Sequence, residues 1–294
     1  TLLSKLKGTG VALITPFKSD FSIDYDSIKK VVDHVISGGA NYLVVHGTTG
    51  ETSTLSEDEK VETRKCFLKA NDNRLPIIIG MGSNSTNSLI NYINESNLNG
   101  FSAILSVVPY YNRPSQDGLF HHFSNVANAS PLPIILYNVP SRTGSMIEKE
   151  TFLEIINQND NIAGIKEASG NLSFAQDLIN TVPDNIKVIC GDDLLTLPMI
   201  LLGGSGSISV IANAFPEKIS KMISFAKSEN VKKAYDIHFE LLEIVKLLFL
   251  EGNPTGIKEL MSQLSFCSNI LRLPLLSASD ELSKKILKNL KEIN

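Results

Sequence analysis

The sequence predicts an α/β protein, a (β/α)8 barrel with a C-terminal helical extension. Three observations carry that prediction. Eight short apolar, β-branched runs recur between residues 10 and 210, and each reads as a strand buried on both faces, as in a parallel sheet covered by helices. Amphipathic segments alternate with them. Beyond about residue 213 only helical patterns remain. A count of eight favours a closed barrel over an open doubly wound sheet. No Gly-x-Gly-x-x-Gly follows the first strand, which argues against dinucleotide binding.

In chain order the first strand is "GVALITPF" (10–17), followed by a helix over "DYDSIKKVVDHVISGG" (24–39) that closes on Gly38-Gly39, a common helix stop. The second strand is "YLVVH" (42–46). A second helix spans 56–71, where Ser56 with Glu59 three residues later makes a capping box. The remaining strands are "PIIIG" (76–80), "SAILSVV" (102–108), "PIILYNV" (133–139), "IAGIKEA" (162–168), "KVICG" (187–191) and "GSISV" (206–210). Helical patterns follow at 216–227, 229–250, 254–263 and 280–291. Residues 1–212 are thus expected to form the catalytic barrel and 213–294 a C-terminal helical region.

Composition narrows the function classes. The 294 residues are 43% hydrophobic and 20% charged, with a formal net charge of −4, an ordinary soluble globular balance. No Lys/Arg-rich run appears apart from the amphipathic last helix, so nucleic acid is not an expected partner. The apolar run "IVKLLFL" (244–250) is too short to span a bilayer. "TLLSKLKGTG" lacks a long apolar stretch with a cleavage site, so export is not expected. Cys66, Cys190 and Cys267 are odd in number and widely spaced, which suggests reduced thiols in a cytoplasmic protein. His34, His46, His121, His122 and His238 are scattered without HxxxH or HExxH spacing. No metal is expected, and His121-His122 reads as an amphipathic-helix pair.

In a barrel, chemistry sits at the C-terminal ends of strands. There the chain places "HGTTGE" (46–51), "PYYNRPS" (109–115), "YNVPSRTG" (137–144), Lys166, "GDD" (191–193) and Ile208. That clustering argues for an enzyme. Lys166 interrupts the apolar run of "IAGIKEASGN" (162–171), and Glu167 points to the other face. It is either a lysine snorkelling to the surface or a desolvated amine, partly neutral and able to attack a carbonyl. Tyr137, near the end of the adjacent strand, would bring a phenol able to relay protons. Arg142 offers a fork for a carboxylate; taken singly, it reads as a surface ion pair, and Tyr137 as a core residue with a wet tip. "GTTGE" suggests a turn before a helix, with free N–H groups, the helix N-terminus and the Thr48 and Thr49 hydroxyls facing a small anion. The successive tyrosines of "PYYNRPS" suit a protein–protein contact.

Together, "GTTGE", "PYYNRPS", "YNVPSRTG", "GIKEASGN" and "GDD" resemble, in order and spacing, the 4-hydroxy-tetrahydrodipicolinate (dihydrodipicolinate) synthase branch of the pyruvate-dependent class I aldolases, the N-acetylneuraminate lyase family. The likeness runs from about Gly8 to the end of the chain. It implies a lyase of lysine and diaminopimelate biosynthesis that condenses pyruvate with aspartate 4-semialdehyde. Lys166 would form the Schiff base, with Tyr137, Thr48 and Tyr111 as proton relay. Tyr111 would cross the tight-dimer interface of a homotetramer, a dimer of dimers. Thr49, Gly191 and Ile208 would hold pyruvate, and Arg142 the semialdehyde carboxylate. No cofactor is implied. The alternative is a sibling lyase acting on N-acetylneuraminate or a 2-keto-3-deoxy sugar acid, whose members lack the arginine of "SRTG". A lysine effector site would involve Asn84 and Tyr110, while Glu57, Lys60 and Ser88 replace the histidines and glutamate usual in inhibited members. Weak or absent inhibition by lysine is therefore expected. An apolar or small residue is commoner than His46 before "GTTGE", and a structural role is expected for it.

Overall fold

The computed structural model describes residues 6–293. All eight expected strands form: β1 (Gly8–Ala12), β2 (Tyr42–Val45), β3 (Ile77–Gly80), β4 (Ala103–Val107), β5 (Ile134–Asn138), β6 (Ile162–Glu167), β7 (Lys187–Cys190) and β8 (Gly206–Ser209). They make one closed barrel in sequence order. Seven strands match their expected positions to within a residue at either end. β1 is the exception, starting at Gly8 and stopping at Ala12 rather than running to Phe17. Pro16 has no N–H for a ladder, and Phe17 instead makes an isolated antiparallel bridge to Ile23.

The chain forms two compact units, one of residues 76–208 and one of 8–75 with 209–294. In the first, β3 to β7 and all but the last residue of β8 alternate with helices Thr86–Glu95, Gln116–Ala129, Lys149–Gln158, Leu172–Thr181 and Thr196–Leu201. Ser85, Ser115 and Asn171 cap three of these by accepting a backbone N–H of the first turn, which satisfies donors that the helix cannot. The register of β5 on β6 sets Tyr137 opposite Lys166 and Asn138 opposite Glu167. Tyr137 and Lys166 therefore share one face of the sheet and Asn138 and Glu167 the other.

In the second unit, β1 and β2 pack with helices Tyr25–Ser37, Glu57–Asn71, Pro216–Lys227, Val231–Leu250, Thr255–Gln263 and Asp280–Leu290. The first helix ends at Gly38, and Gly39 takes φ +86°, a conformation that glycine adopts without strain. The capping box of Ser56 and Glu59 forms as expected. Asn213 braces the end of β1, donating to the Ala12 carbonyl at 2.7 Å and accepting from the Ile14 N–H at 3.2 Å. Phe17 is faced by two cations, with Lys258 Nζ at 4.0 Å and Arg272 Cζ at 4.4 Å from its ring centroid. The three cysteines are free. Among the described residues no helix is long and apolar enough to cross a membrane.

Candidate active site

Lys166 lies one residue from the end of β6 and is only 6% exposed. Its Nζ sits 4.3 Å from the centroid of the Tyr137 ring, which is also buried. The amine does not snorkel to solvent; it packs on the phenol of the next strand. Glu167 turns away, as the strand alternation requires. Its buried carboxylate accepts from Asn138 Nδ2 at 2.7 Å and from the Ser169 N–H at 2.6 Å, and burial raises its pKa despite both bonds. Gly191 follows β7, where a Cβ would stand 2.8 Å from Lys166 Cε. Only glycine leaves room for the lysine stem at that point. Ile208 is buried within β8.

Arg142 lies in the one-turn helix Pro140–Thr143, closed by Gly144 at φ +68°. Asn138 steadies this segment, since its Oδ1 accepts from the Ile147 N–H at 3.2 Å while its amide holds Glu167. The side chain of Arg142 is exposed, and among the described residues it has no ion-pair or hydrogen-bond partner. The surface ion pair that a lone arginine suggests is therefore not made. Tyr111 is 87% exposed and Tyr110 42%, so neither is buried with Tyr137 and Lys166 in this chain. Asn84 Nδ2 donates to the Tyr111 carbonyl at 2.5 Å. Ser88 closes a hydroxyl pair with Ser85 at 3.0 Å.

In the other unit, Thr48–Gly50 forms a 3-10 turn directly after β2. The α-helix expected over 56–71 starts at Glu57 behind its Ser56 cap, so it does not open at this turn. A second 3-10 turn, Thr52–Thr54, intervenes, and the extended backbone of Ser56 in its capping box stops the helix from propagating back. The helix N-terminus is thus occupied by Ser56 and Glu59 and is not available to the "GTTGE" turn. Thr48 is half-buried and Thr49 buried. The Thr49 hydroxyl accepts from Asn253 Nδ2 at 3.0 Å. Glu51, in the left-handed region at φ 51°, forms a fully buried ion pair with Lys258 and accepts from the Arg272 N–H at 3.2 Å. His46 is buried, bonds Thr63 Oγ1 at 2.9 Å, and is pushed down to about 3 by burial. It is a neutral strut between the end of β2 and the helix Glu57–Asn71. Glu57 and Lys60 pair with each other at 2.7 Å.

Asn253, Lys258 and the bond from Asn138 to Glu167 escape a reading of the sequence. "GNPTG" reads as helix punctuation, and a lysine on an amphipathic helix reads as a solvated face. Among the described residues no group of three or more His, Cys, Asp or Glu is placed to hold a metal ion.

The model of the Dihydrodipicolinate synthetase family matches residues 5–293. The chain belongs to this family. It is an enzyme of the lyase class with the family's barrel. It is 47% identical over 279 residues to the 4-hydroxy-tetrahydrodipicolinate synthase of Flavobacterium psychrophilum, covering 95% of each chain. Among solved structures it resembles the chloride-inhibited dihydrodipicolinate synthase of Acinetobacter baumannii complexed with pyruvate, at 35% identity and a TM-score of 0.94 over 98% of this chain and 99% of that one. It also resembles a monomeric dihydrodipicolinate synthase variant, at 33% identity and a TM-score of 0.95 over 99% and 97% of the two chains.

Proposed function

We propose that the protein is a 4-hydroxy-tetrahydrodipicolinate synthase that condenses pyruvate with L-aspartate 4-semialdehyde through a Schiff base on Lys166. The observation that carries this reading is the setting of Lys166: buried, with the adjoining Glu167 bonded to Asn138 and Ser169 on the other face, and packed with its Nζ 4.3 Å from the Tyr137 ring centroid. The amine attacks the keto carbon of pyruvate and water leaves, giving a protonated imine. The imine withdraws electrons, so the methyl group loses a proton and becomes an enamine carbon. That carbon attacks the aldehyde of the second substrate. The substrate's own amine then displaces Lys166 from the imine and closes the ring. The imine is itself the electron sink, so this scheme needs no metal or organic cofactor.

Tyr137, Thr48 and a neighbouring subunit's Tyr111 relay the protons. Thr49 and the backbone at Gly191 and Ile208 hold pyruvate, and Arg142 takes the semialdehyde carboxylate. The unpaired, exposed guanidinium of Arg142 favours this reaction over sialic-acid or sugar-acid cleavage. The assembly we propose is a cytoplasmic homotetramer, a dimer of dimers, with residues 1–212 as its catalytic region and 213–294 as its helical extension. The exposure of Tyr111 is consistent with a role in a neighbouring subunit.

The effector reading stays as the sequence suggests, with weak or no response to lysine. Ser88 offers no carboxylate to an effector amine, a charge-assisted bond worth roughly 1.5–3 kcal/mol, and Glu57 is already paired with Lys60. Purified protein should consume pyruvate only with aspartate 4-semialdehyde, leave N-acetylneuraminate uncleaved, and keep more than half its rate at sub-millimolar lysine. Cleavage of N-acetylneuraminate without semialdehyde condensation would replace the proposal with its sibling activity.

A further inference from the structure

We infer that Asn253 is a positioning residue for the reaction, setting the direction of the Thr49 hydroxyl so that its proton is offered to the pyruvate carboxylate. This rests on the proposed role of Thr49 and adds the residue that makes it a donor.

Both groups are buried, and Asn253 Nδ2 donates to Thr49 Oγ1 at 3.0 Å. A hydroxyl that accepts from an amide keeps its own proton for another partner, and among the described residues no acceptor takes the Thr49 proton. Asn253 Oδ1 is also buried without a partner. Turning the amide over would instead strand its N–H donors away from any acceptor, and orphaned buried donors are rarer than under-satisfied carbonyls. The observed orientation is thus the cheaper one, and it fixes Thr49 as acceptor from Asn253 and donor outward. A chain of two such bonds polarises along its length, which strengthens the outward one.

The mounting is rigid. Asn253 lies just before the helix Thr255–Gln263, whose residues Thr255 to Met261 are all buried. Lys258 of that helix pairs with Glu51, so the segment grips the turn at both Thr49 and Glu51. The turn itself is closed by Thr15 Oγ1 donating to the Gly50 carbonyl at 2.8 Å.

The test is a double-mutant cycle read as KM for pyruvate against kcat. Thr49→Val removes the hydroxyl. Asn253→Asp keeps the shape but replaces the donor with an acceptor that would draw the Thr49 proton inward, and Asn253→Ala removes both functions. We expect Thr49→Val to raise KM for pyruvate at least tenfold. Each Asn253 variant should do the same in the wild-type background and add less than twofold in the Thr49→Val background, with KM for the semialdehyde unchanged. If Thr49→Val leaves KM for pyruvate unchanged, the role of Thr49 fails, and the inference with it. If Thr49→Val raises KM but the Asn253 variants do not, or raise it equally in both backgrounds, the role of Thr49 stands and the inference about Asn253 is overturned. Should Asn253→Ala fail to fold, the isosteric Asn253→Asp still decides between these outcomes.

Discussion

Lys166 and Lys258 are both buried lysines, and their neighbours separate their uses. Lys258 has a carboxylate partner in Glu51, a bond to the Ile270 carbonyl at 2.9 Å and the Phe17 ring beneath it. Burial lowers its pKa while Glu51 pulls it back up. All of its donors serve structure. Lys166 has an aromatic face, and the adjoining Glu167 is turned away to Asn138 and Ser169, which leaves an amine free for chemistry. Arg142 stands apart from both, exposed and unpaired. Replacing it with alanine should raise KM for the semialdehyde roughly tenfold to a hundredfold, the weight of one charge-assisted interaction. KM for pyruvate should hardly move; equal loss for both substrates in steady-state kinetics would contradict its role. At this scale the sequence exposes Lys166 because a charge interrupts an apolar strand, and Tyr137 because it lies near the end of the neighbouring one. Lys258 stays hidden because its partner Glu51 lies far away in the chain, on a turn whose own role reads as anion binding.

At the scale of elements, the helix Glu57–Asn71 depends on one carboxylate used twice. Glu59 accepts the Ser56 N–H in the capping box at 2.9 Å and takes Arg272 in a two-point contact at 2.6 and 2.7 Å. The Arg272 bond is the main cause that lowers its pKa from 4.5 to about 2. A depressed folded-state pKa means that the unfolded chain binds the proton more readily. The stabilisation is therefore complete above about pH 4.5 and lost as pH falls towards 2. Glu59→Gln should lower the urea midpoint at neutral pH and flatten its decline between pH 5 and 2; an unchanged acid limb would contradict this account. Half of the arrangement is written locally, since Ser56 and Glu59 are three residues apart. Its other half, Arg272, is brought in by the fold and leaves no local signature. The same limit explains the early end of β1, where the distant Asn213 takes the Ile14 N–H.

At the scale of the molecule, the alternation of eight apolar runs with amphipathic helices makes the closed barrel legible in the sequence. The compact grouping of residues 209–294 with residues 8–75 is not legible, because it rests on long-range contacts such as those of Asn253, Lys258 and Arg272. Assembly is the next level, and Tyr111 tests it. If Tyr111 serves a neighbouring subunit, Tyr111→Phe and Lys166→Ala chains, each poor alone, should regain activity when unfolded together and refolded as a mixture. A mixture no more active than its parts would confine the site to one chain. In the proposed reaction a single amine, that of Lys166, carries the chemistry. Reducing the whole protein with borohydride in the presence of pyruvate, and then measuring intact and peptide masses, tests this. One reduced pyruvyl group per chain is expected, on the peptide bearing Lys166 and not on the one bearing Lys258. An unmodified chain, or an adduct at any other lysine, would contradict it.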